Sequence, residues 1–441
     1  MTPAVRGRPH GIDMNGTLAL LLALAAAAPP PARTYIDVGS PDFRPLAIAL
    51  TPPQAAPDVQ PQANEVGQAV RDDLALTGIF DLLDPRSFLA DPREGTAAAQ
   101  IRFARWADVG AEGLAKVLVR RDGPGLSADL HLYDVRAGRE VLFQVLRGAT
   151  PRTVAHQIAD QIVQWYTREP GIFRTRIAVL RRFRGGRELV LLDADGREPE
   201  VVYRENGIAL LPAWRPDGGE ILFTSYRTGK PEVWALRLAD RSLRAVAALG
   251  DLASGATFSP DGRRIAFAAS VDGNSDVYVV DADGGSLRRL TDDPATDSQP
   301  TWSPDGRRIA FVSTRSGNPH LYLMNADGSD PRRLTFQGNS NQTPRWSPRG
   351  DLIAFTARDE RKVFDVFVVS PETGRISRVT QDQGRTNEEP SWAPNGRLLV
   401  FTSDRTGRPQ LVISTPSGDH QRVVTSDPAG LDAPAWGPLP R

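Results

Sequence analysis

Pro300-Thr301-Trp302-Ser303-Pro304-Asp305-Gly306 is the stretch that decides the fold, because the chain writes nearly the same phrase five more times. The others begin at Pro212 (around Trp214), Ala256 (around Phe258), Pro344 (around Trp346), Pro390 (around Trp392) and Pro434 (around Trp436). Their aromatic residues stand 44, 44, 44, 46 and 44 positions apart. A fixed period of about 40–45 residues marks a radial β array in which each unit is one four-stranded blade. Such arrays bind other molecules at a central channel and its rims more often than their strands carry out chemistry.

One unit can be read from local signals. Residues 300–303 are a short apolar segment, and Pro304-Asp305-Gly306 supplies a tight turn: Pro presets φ, Asp bonds its own backbone and Gly accepts positive φ. Ile309 to Val312 is a continuous apolar run, suited to a strand covered on both faces. His320 to Met324 is rich in strand formers, Ala326-Asp327-Gly328 turns, and Arg332 to Thr335 makes a polar outer strand. Phe336 to Thr343 is then the loop to the next unit. Hairpin connectivity sends the inter-unit loops to one rim, the mouth, and the Pro-Asp-Gly and Ala-Asp-Gly turns to the other, the base. Residues 176–204 look like strands two to four of a unit without its first, and Pro434-Ala435-Trp436 looks like a first strand alone. Joined, they complete a six-bladed β-propeller of WD40-like repeats closed by a shared blade, which leaves no free edge.

Outward from the array, residues 33–170 carry no repeat. Tyr35 to Val38, Leu46 to Leu50, Lys116 to Arg120, Leu130 to Val135 and Val141 to Leu146 read as strands. Asn64 to Thr77 and Thr153 to Tyr166 read as helices, with Val66, Val70 and Leu74, and Val154, Ile158, Ile162 and Trp165, facing inward. This is an α/β domain on a mixed sheet, with Gly171 at its boundary, so the propeller is expected over 171–441. Residues 1–32 read as a signal peptide: Leu18 to Ala28 is an unbroken apolar run, too short to span a bilayer, followed by Pro29-Pro30-Pro31-Ala32. Arg6 and Arg8 give it a positive n-region if translation starts at Met1; a start at Met14 leaves that region nearly neutral. Cleavage is expected between Ala26 and Ala32. The chain is expected to be exported, with no stable membrane insertion.

Composition excludes several functions. The 53 basic and 53 acidic residues cancel, so nothing draws the chain to nucleic acid. Cysteine is absent, which removes disulfides, thiolate metal sites and a cysteine nucleophile. There is no Gly-x-Ser-x-Gly elbow, no His-Glu-x-x-His and no phosphate-cradling loop, so no catalytic residue, metal or cofactor is expected. His156 reads as a surface or core-edge histidine. Asp193-Ala194-Asp195-Gly196, Asp281 to Gly284 and Asn325 to Gly328 start like calcium loops but lack the downstream bidentate Glu, and read as hairpin turns. Arg174, Arg176, Arg181, Arg182, Arg184 and Arg187 read as a solvated blade edge. The loops Asp292 to Gln299, Phe336 to Thr343 and Gln381 to Glu389 differ in kind, being long and rich in Asn, Gln, Ser, Asp and Glu. Their ends converge on the mouth as a ring of hydrogen-bonding groups able to hold a partner segment.

The chain resembles the TolB family of the Tol–Pal cell-envelope system. The resemblance runs from about Arg33 to the end and rests on Tyr35-Ile36-Asp37 with Arg44-Pro45, Ala155-His156-Gln157-Ile158-Ala159-Asp160, Gly171-Ile172-Phe173-Arg174-Thr175-Arg176 and the final Pro434-Ala435-Trp436. It implies a periplasmic, non-enzymatic scaffold supporting outer-membrane integrity and constriction at cell division. It implies that Leu252, Ser254, Ser298, Gln299, Gln342, Thr343, Glu388 and Glu389 bind the peptidoglycan-associated lipoprotein. Their place at the mouth predicts that Glu388 and Glu389 are exposed in the free protein. It implies that Arg33, Thr34, Tyr35, Ile36 and Asp37 contact TolA. Leu252 stands where enterobacterial members carry a histidine. The other reading is the non-catalytic propeller of an exported prolyl-oligopeptidase-type hydrolase, which would need an α/β-hydrolase domain downstream.

Overall fold

The structure, a computed structural model, describes residues 43–91, 93–207, 209–358 and 362–440. The apolar run Leu18 to Ala28, the expected cleavage region, the strand expected at Tyr35 to Val38 and the segment Arg33 to Asp37 lie outside the described residues. No helix among the described residues is long and apolar enough to cross a membrane.

The first part of the chain runs β1 (Leu46–Leu50), α1 (Gln60–Leu76), β2 (Phe80–Leu82), α2 (Phe103–Asp108), β3 (Gly113–Asp122), β4 (Gly125–Asp134), β5 (Arg139–Gly148) and α3 (Pro151–Thr167). The sheet order is β2-β1-β3-β4-β5, with β1 parallel to both neighbours and the remaining pairs antiparallel. The inward stripes are as the helical period predicts: Val66, Val70 and Leu74 on α1, and Val154, Ile158 and Ile162 on α3, are buried. At the end of α3 the expectation shifts by one residue. Trp165 is only half-buried, and Tyr166, one i+4 step beyond Ile162, packs edge-on against Phe80 with centroids 5.7 Å apart. β2 and α2 are too short to carry a periodic signal.

Six four-stranded sheets follow. The complete blades are numbered by their first strands, Ala209–Trp214 (blade I), Leu252–Phe258 (II), Asp297–Trp302 (III), Ser340–Trp346 (IV) and Asn387–Trp392 (V). Blade III shows the plan, with strands Asp297–Trp302, Arg308–Ser313, His320–Asn325 and Arg332–Arg333. The first strands of successive blades touch in a closed circle around the axis. Closure is as expected: Leu431–Trp436 pairs antiparallel with Arg176–Phe183, which continues into Gly186–Asp193 and Glu200–Glu205. Asp432 accepts two hydrogen bonds from Arg187, at 2.6 and 2.7 Å, across this seam.

The second strands form the core. Phe223, Phe267, Phe311, Phe355 and Phe401 recur at the same place, all essentially without solvent exposure. The phrase aromatics sit between blades. The guanidinium of Arg264 lies 4.8 Å from the Trp302 ring and that of Arg308 lies 5.1 Å from Trp346, each arginine belonging to the preceding blade. Trp392 Nε1 donates to Arg345 O at 2.9 Å in blade IV, and Trp436 Nε1 to Thr175 Oγ1 at 2.8 Å. In the turn after Trp302, Ser303 Oγ donates to Asp305 Oδ1 at 2.6 Å and Arg307 N donates to the same oxygen at 3.1 Å. Gly306 closes that turn with a φ of 69°.

The α/β unit is tied to the base of the ring. Glu169 bonds Arg397 at 2.6 and 2.7 Å and Arg349 at 2.9 Å, both arginines lying in or beside phrase turns. His420 Nε2 meets Ala75 O at 2.8 Å, and Arg197 donates to Asp72 at 3.0 Å. Asp160 accepts from Phe173 N at 2.9 Å and Arg174 Nε at 2.8 Å, and a Cβ on Gly171 would lie 2.2 Å from its carboxylate. The arginine cluster is therefore mostly consumed in ion pairs: Arg174 with Asp160, Arg181 with Glu188 and Asp427, and Arg187 with Asp432.

His156 is not at the surface; it is buried at this junction. Its Nδ1 lies 2.7 Å from Asp73 Oδ2 and its Nε2 lies 3.6 Å from Asp193 Oδ2. Burial opposes its charge, but the Asp193 and Asp73 carboxylates outweigh it and raise its pKa to about 10. His156, Asp193 and Asp195 converge closely enough to hold a cation. Arg152 already supplies one, with Nη2 2.7 Å from Asp195 Oδ2 and 3.7 Å from Asp193 Oδ2. The Asp-Ala-Asp-Gly turn is thus a turn that also docks α3.

Truncating a wedge leaves a cavity at a blade boundary, and Trp→Ala substitutions in cores typically cost ~3–5 kcal/mol. Trp346→Ala is expected to lower the unfolding free energy by an amount of that order, read as a lower midpoint in urea titration. An unchanged midpoint would remove Trp346 from the packing role.

Candidate functional site

The mouth is built by one irregularity repeated in every blade. In blade III, Ser298 pairs with Val312 and Thr301 with Ala310, leaving Gln299 and Pro300 opposite Phe311 alone. This is a β-bulge, and proline suits it because it has no N–H to give to the ladder. The register shifts at the same point in the other blades, before Ala213, Thr257, Arg345, Ser391 and Ala435. The first bulge residue is left-handed throughout: Leu211 (φ 54°), Gly255 (66°), Gln299 (52°), Thr343 (50°), Glu389 (58°) and Ala433 (52°).

The bulges also stitch neighbouring blades. Gly255 N donates to Thr224 Oγ1 at 3.4 Å, Thr343 N to Gln299 Oε1 at 2.7 Å, Glu389 N to Thr356 Oγ1 at 3.0 Å and Ala433 N to Glu389 Oε2 at 2.7 Å. An amide displaced from its own ladder thereby finds an acceptor on the preceding blade.

All eight expected site residues, Leu252, Ser254, Ser298, Gln299, Gln342, Thr343, Glu388 and Glu389, lie within first strands and are half-buried. Two corrections follow. They are not loop ends, because antiparallel pairing resumes beyond the bulge and the strands begin at Leu252, Asp297, Ser340 and Asn387. The two glutamates are not freely exposed either. Glu389 is committed to Ala433 N and to Thr402 Oγ1, which donates at 3.4 Å; burial, then Asp432, raises its pKa. Glu388 makes no side-chain hydrogen bond among the described residues. Burial, then Glu389 and Asp404, pushes its pKa up to about 7. Arg345 was not legible as a mouth residue. It occupies the first position after the bulge, where the other blades carry Ala213, Thr257, Thr301, Ser391 and Ala435. Burial lowers the pKa of its guanidinium and Glu389 opposes that shift.

Comparison with known proteins agrees with this architecture. Residues 163–440 match the TolB beta propeller domain and residues 34–141 the TolB amino-terminal domain. The Tol-Pal system protein TolB of Anaeromyxobacter dehalogenans (strain 2CP-C) is 62% identical over 423 residues, covering 96% of this chain and 97% of the relative. The chain belongs to the TolB family. The Tol-Pal system protein TolB of Myxococcus xanthus (strain DK1622) is 46% identical over 219 residues, 49% of this chain and 50% of that one. Among solved structures, TolB from Acinetobacter baumannii superposes with a TM-score of 0.80 at 27% identity, covering 90% of this chain and 97% of that one. Membership makes the chain a component of the Tol–Pal system.

In this TolB-family chain, the state of Glu388 is testable through stability. Between the ordinary glutamate pKa and about 7, the folded chain holds a proton there that the unfolded chain has released. Its contribution to stability therefore falls as pH rises through that window. Asp73, also raised to about 7 mainly by burial, gives a slope of the same sign that is common to both chains compared. Urea midpoints followed from about pH 5 to about pH 7.5 should fall less steeply for Glu388→Gln than for the unaltered chain. Parallel profiles would show that Glu388 titrates normally.

Proposed function

We propose that the chain is a non-enzymatic scaffold of the Tol–Pal system in the periplasm, whose propeller mouth clasps a loop of the peptidoglycan-associated lipoprotein. On this reading it supports outer-membrane integrity and constriction at division, and residues 33–37 contact TolA. The observation that carries the reading is the unequal use of the two rims. The α/β unit is bonded to base turns through Arg349, Arg397, Asn395, Arg197 and His420, and none of these contacts reaches the mouth. The mouth keeps a ring of half-buried polar groups in register, Ser254, Ser298, Gln342, Glu388 and Asp432, each the last paired residue before its bulge. Short polar side chains on a rigid concave ring suit hydrogen bonds to a folded partner's loop, and do not suit an apolar ligand.

Glu388 and Gln342 are the groups to remove, since Glu389 also holds the backbone of the shared blade. Glu388→Ala combined with Gln342→Ala is expected to weaken binding of the lipoprotein's soluble domain. Charge-assisted hydrogen bonds are worth ~1.5–3 kcal/mol, or about ten- to a hundredfold in affinity. Asp305→Ala, in a base turn, should leave affinity unchanged. Calorimetric titration of the three chains checks this; equal losses from both rims, or none from either, would dismiss the mouth as the binding site.

A further inference from the structure

The inter-blade loops are not equivalent, and the one after blade III displays a largely exposed aromatic. Phe336 follows blade III and is 71% exposed. At the matching place after Thr291 and Thr380, which occupy the position of Thr335 in their repeats, the neighbouring loops carry the polar residues Asp292 and Gln381. The cause lies one layer below. In blades II and IV the third strand is led by a buried acid that pairs with an arginine of the fourth, Asp276 with Arg289 and Asp365 with Arg378. In blade III that acid is replaced by His320, which is buried and held by Asn341, with burial lowering its pKa. Arg333 therefore has no carboxylate partner among the described residues. Its guanidinium instead stacks 4.8 Å from the Phe336 ring centre, while its Nε donates to Thr335 O at 2.7 Å.

The loop beneath is fixed. Asn341, 1% exposed, donates to Thr335 Oγ1 at 2.8 Å and to Gln337 O at 3.0 Å, bracing the residues on both sides of Phe336. The chain on both sides of Phe336 is thus held, and its ring lies against a cation with most of its area open to water. An aromatic on the mouth rim, standing just beyond the end of the outer strand with most of its area still available for burial, suits an interface anchor.

We propose that Phe336, seated on Arg333, is the apolar anchor of the mouth, and that it takes an apolar side chain flanked by a carboxylate on the partner's loop. This rests on the mouth reading above and deepens it: the polar ring supplies register, and Phe336 with Arg333 supplies the desolvated contact and the charge. Phe336 stands six residues before Gln342, on the same rim, so one loop of a folded partner can reach both.

The test is titration of the full chain with the lipoprotein's soluble domain, comparing the unaltered protein, Phe336→Ala and Phe336→Trp. Phe336→Ala should lose at least about tenfold in affinity, mainly through faster dissociation. Its unfolding midpoint should not move, since the side chain is largely exposed. Phe336→Trp should retain binding. Equal affinity for the unaltered protein and Phe336→Ala would overturn the anchor and leave the mouth reading standing. No binding by the unaltered protein would overturn both.

Discussion

Everything in this structure depends on one antiparallel seam, the pairing of Leu431–Trp436 with Arg176–Phe183. Five complete blades would leave two exposed edges, each a row of unpaired amides and carbonyls. The seam removes both, and the bidentate Arg187–Asp432 contact with the Trp436–Thr175 hydrogen bond fixes its register. It also decides where the rest of the chain can lie. Residues 171–175 run straight into the second strand of the shared blade, so α3 must end directly beneath it. The Asp160–Gly171–Arg174 knot is the local expression of that demand, because no side chain fits between Asp160 and the backbone at 171.

The ring then uses charge differently on its two rims. At the base, charges neutralise each other across the junction, Glu169 with Arg349 and Arg397 and Asp195 with Arg152, while Asp73 and His156 pair between α1 and α3 within the α/β unit. Asp195 and Arg152 are the buried pair across the junction, and removing one partner of such a pair strands the other at a cost of roughly 3–5 kcal/mol, whereas the partly exposed Glu169 pairs are screened by solvent and weigh less. At the mouth the arginine–acid pairs hold the outer strands, while the inner ring is left with polar groups that have few internal partners. Two blades carry no acid at the head of the third strand, one with Gln410 and blade III with His320, and blade III is the one whose loop displays Phe336.

The sequence carried the architecture clearly because a propeller repeats its turn chemistry. Ser-Pro-Asp-Gly fixes a turn wherever it occurs, and five occurrences of the phrase with its terminal remnant set the number of blades. Other features were legible only as motifs without their physical role. The proline two residues before five of the six aromatics marks a bulge, but proline also suits a strand start, and only the observed register separates the two. That ambiguity is why Gln299, Gln342, Thr343, Glu388 and Glu389 read as loop ends rather than strand residues. His156 and the Asp193–Asp195 turn are 37 residues apart or more, and their meeting depends on α3 docking under the shared blade, which no local pattern encodes. Phe336 was passed over because a single apolar residue in a polar loop carries no periodicity.

The mouth is costly to maintain. Five non-glycine residues hold a left-handed backbone there, a conformation that disfavours L side chains by about 1–2 kcal/mol each. Glu388 adds a half-buried carboxylate whose surroundings resist its ionisation. Strain of this kind persists only when the surrounding structure over-determines it, and here the closed circle of first strands does so: Gly255, Thr343, Glu389 and Ala433 cannot relax without breaking a stitch to the preceding blade. The same closure makes the mouth rigid before any partner arrives. A donor approaching Glu388 recovers part of the desolvation cost only at that position and orientation, so a mouth that is poor for stability is well suited to discriminate between partners.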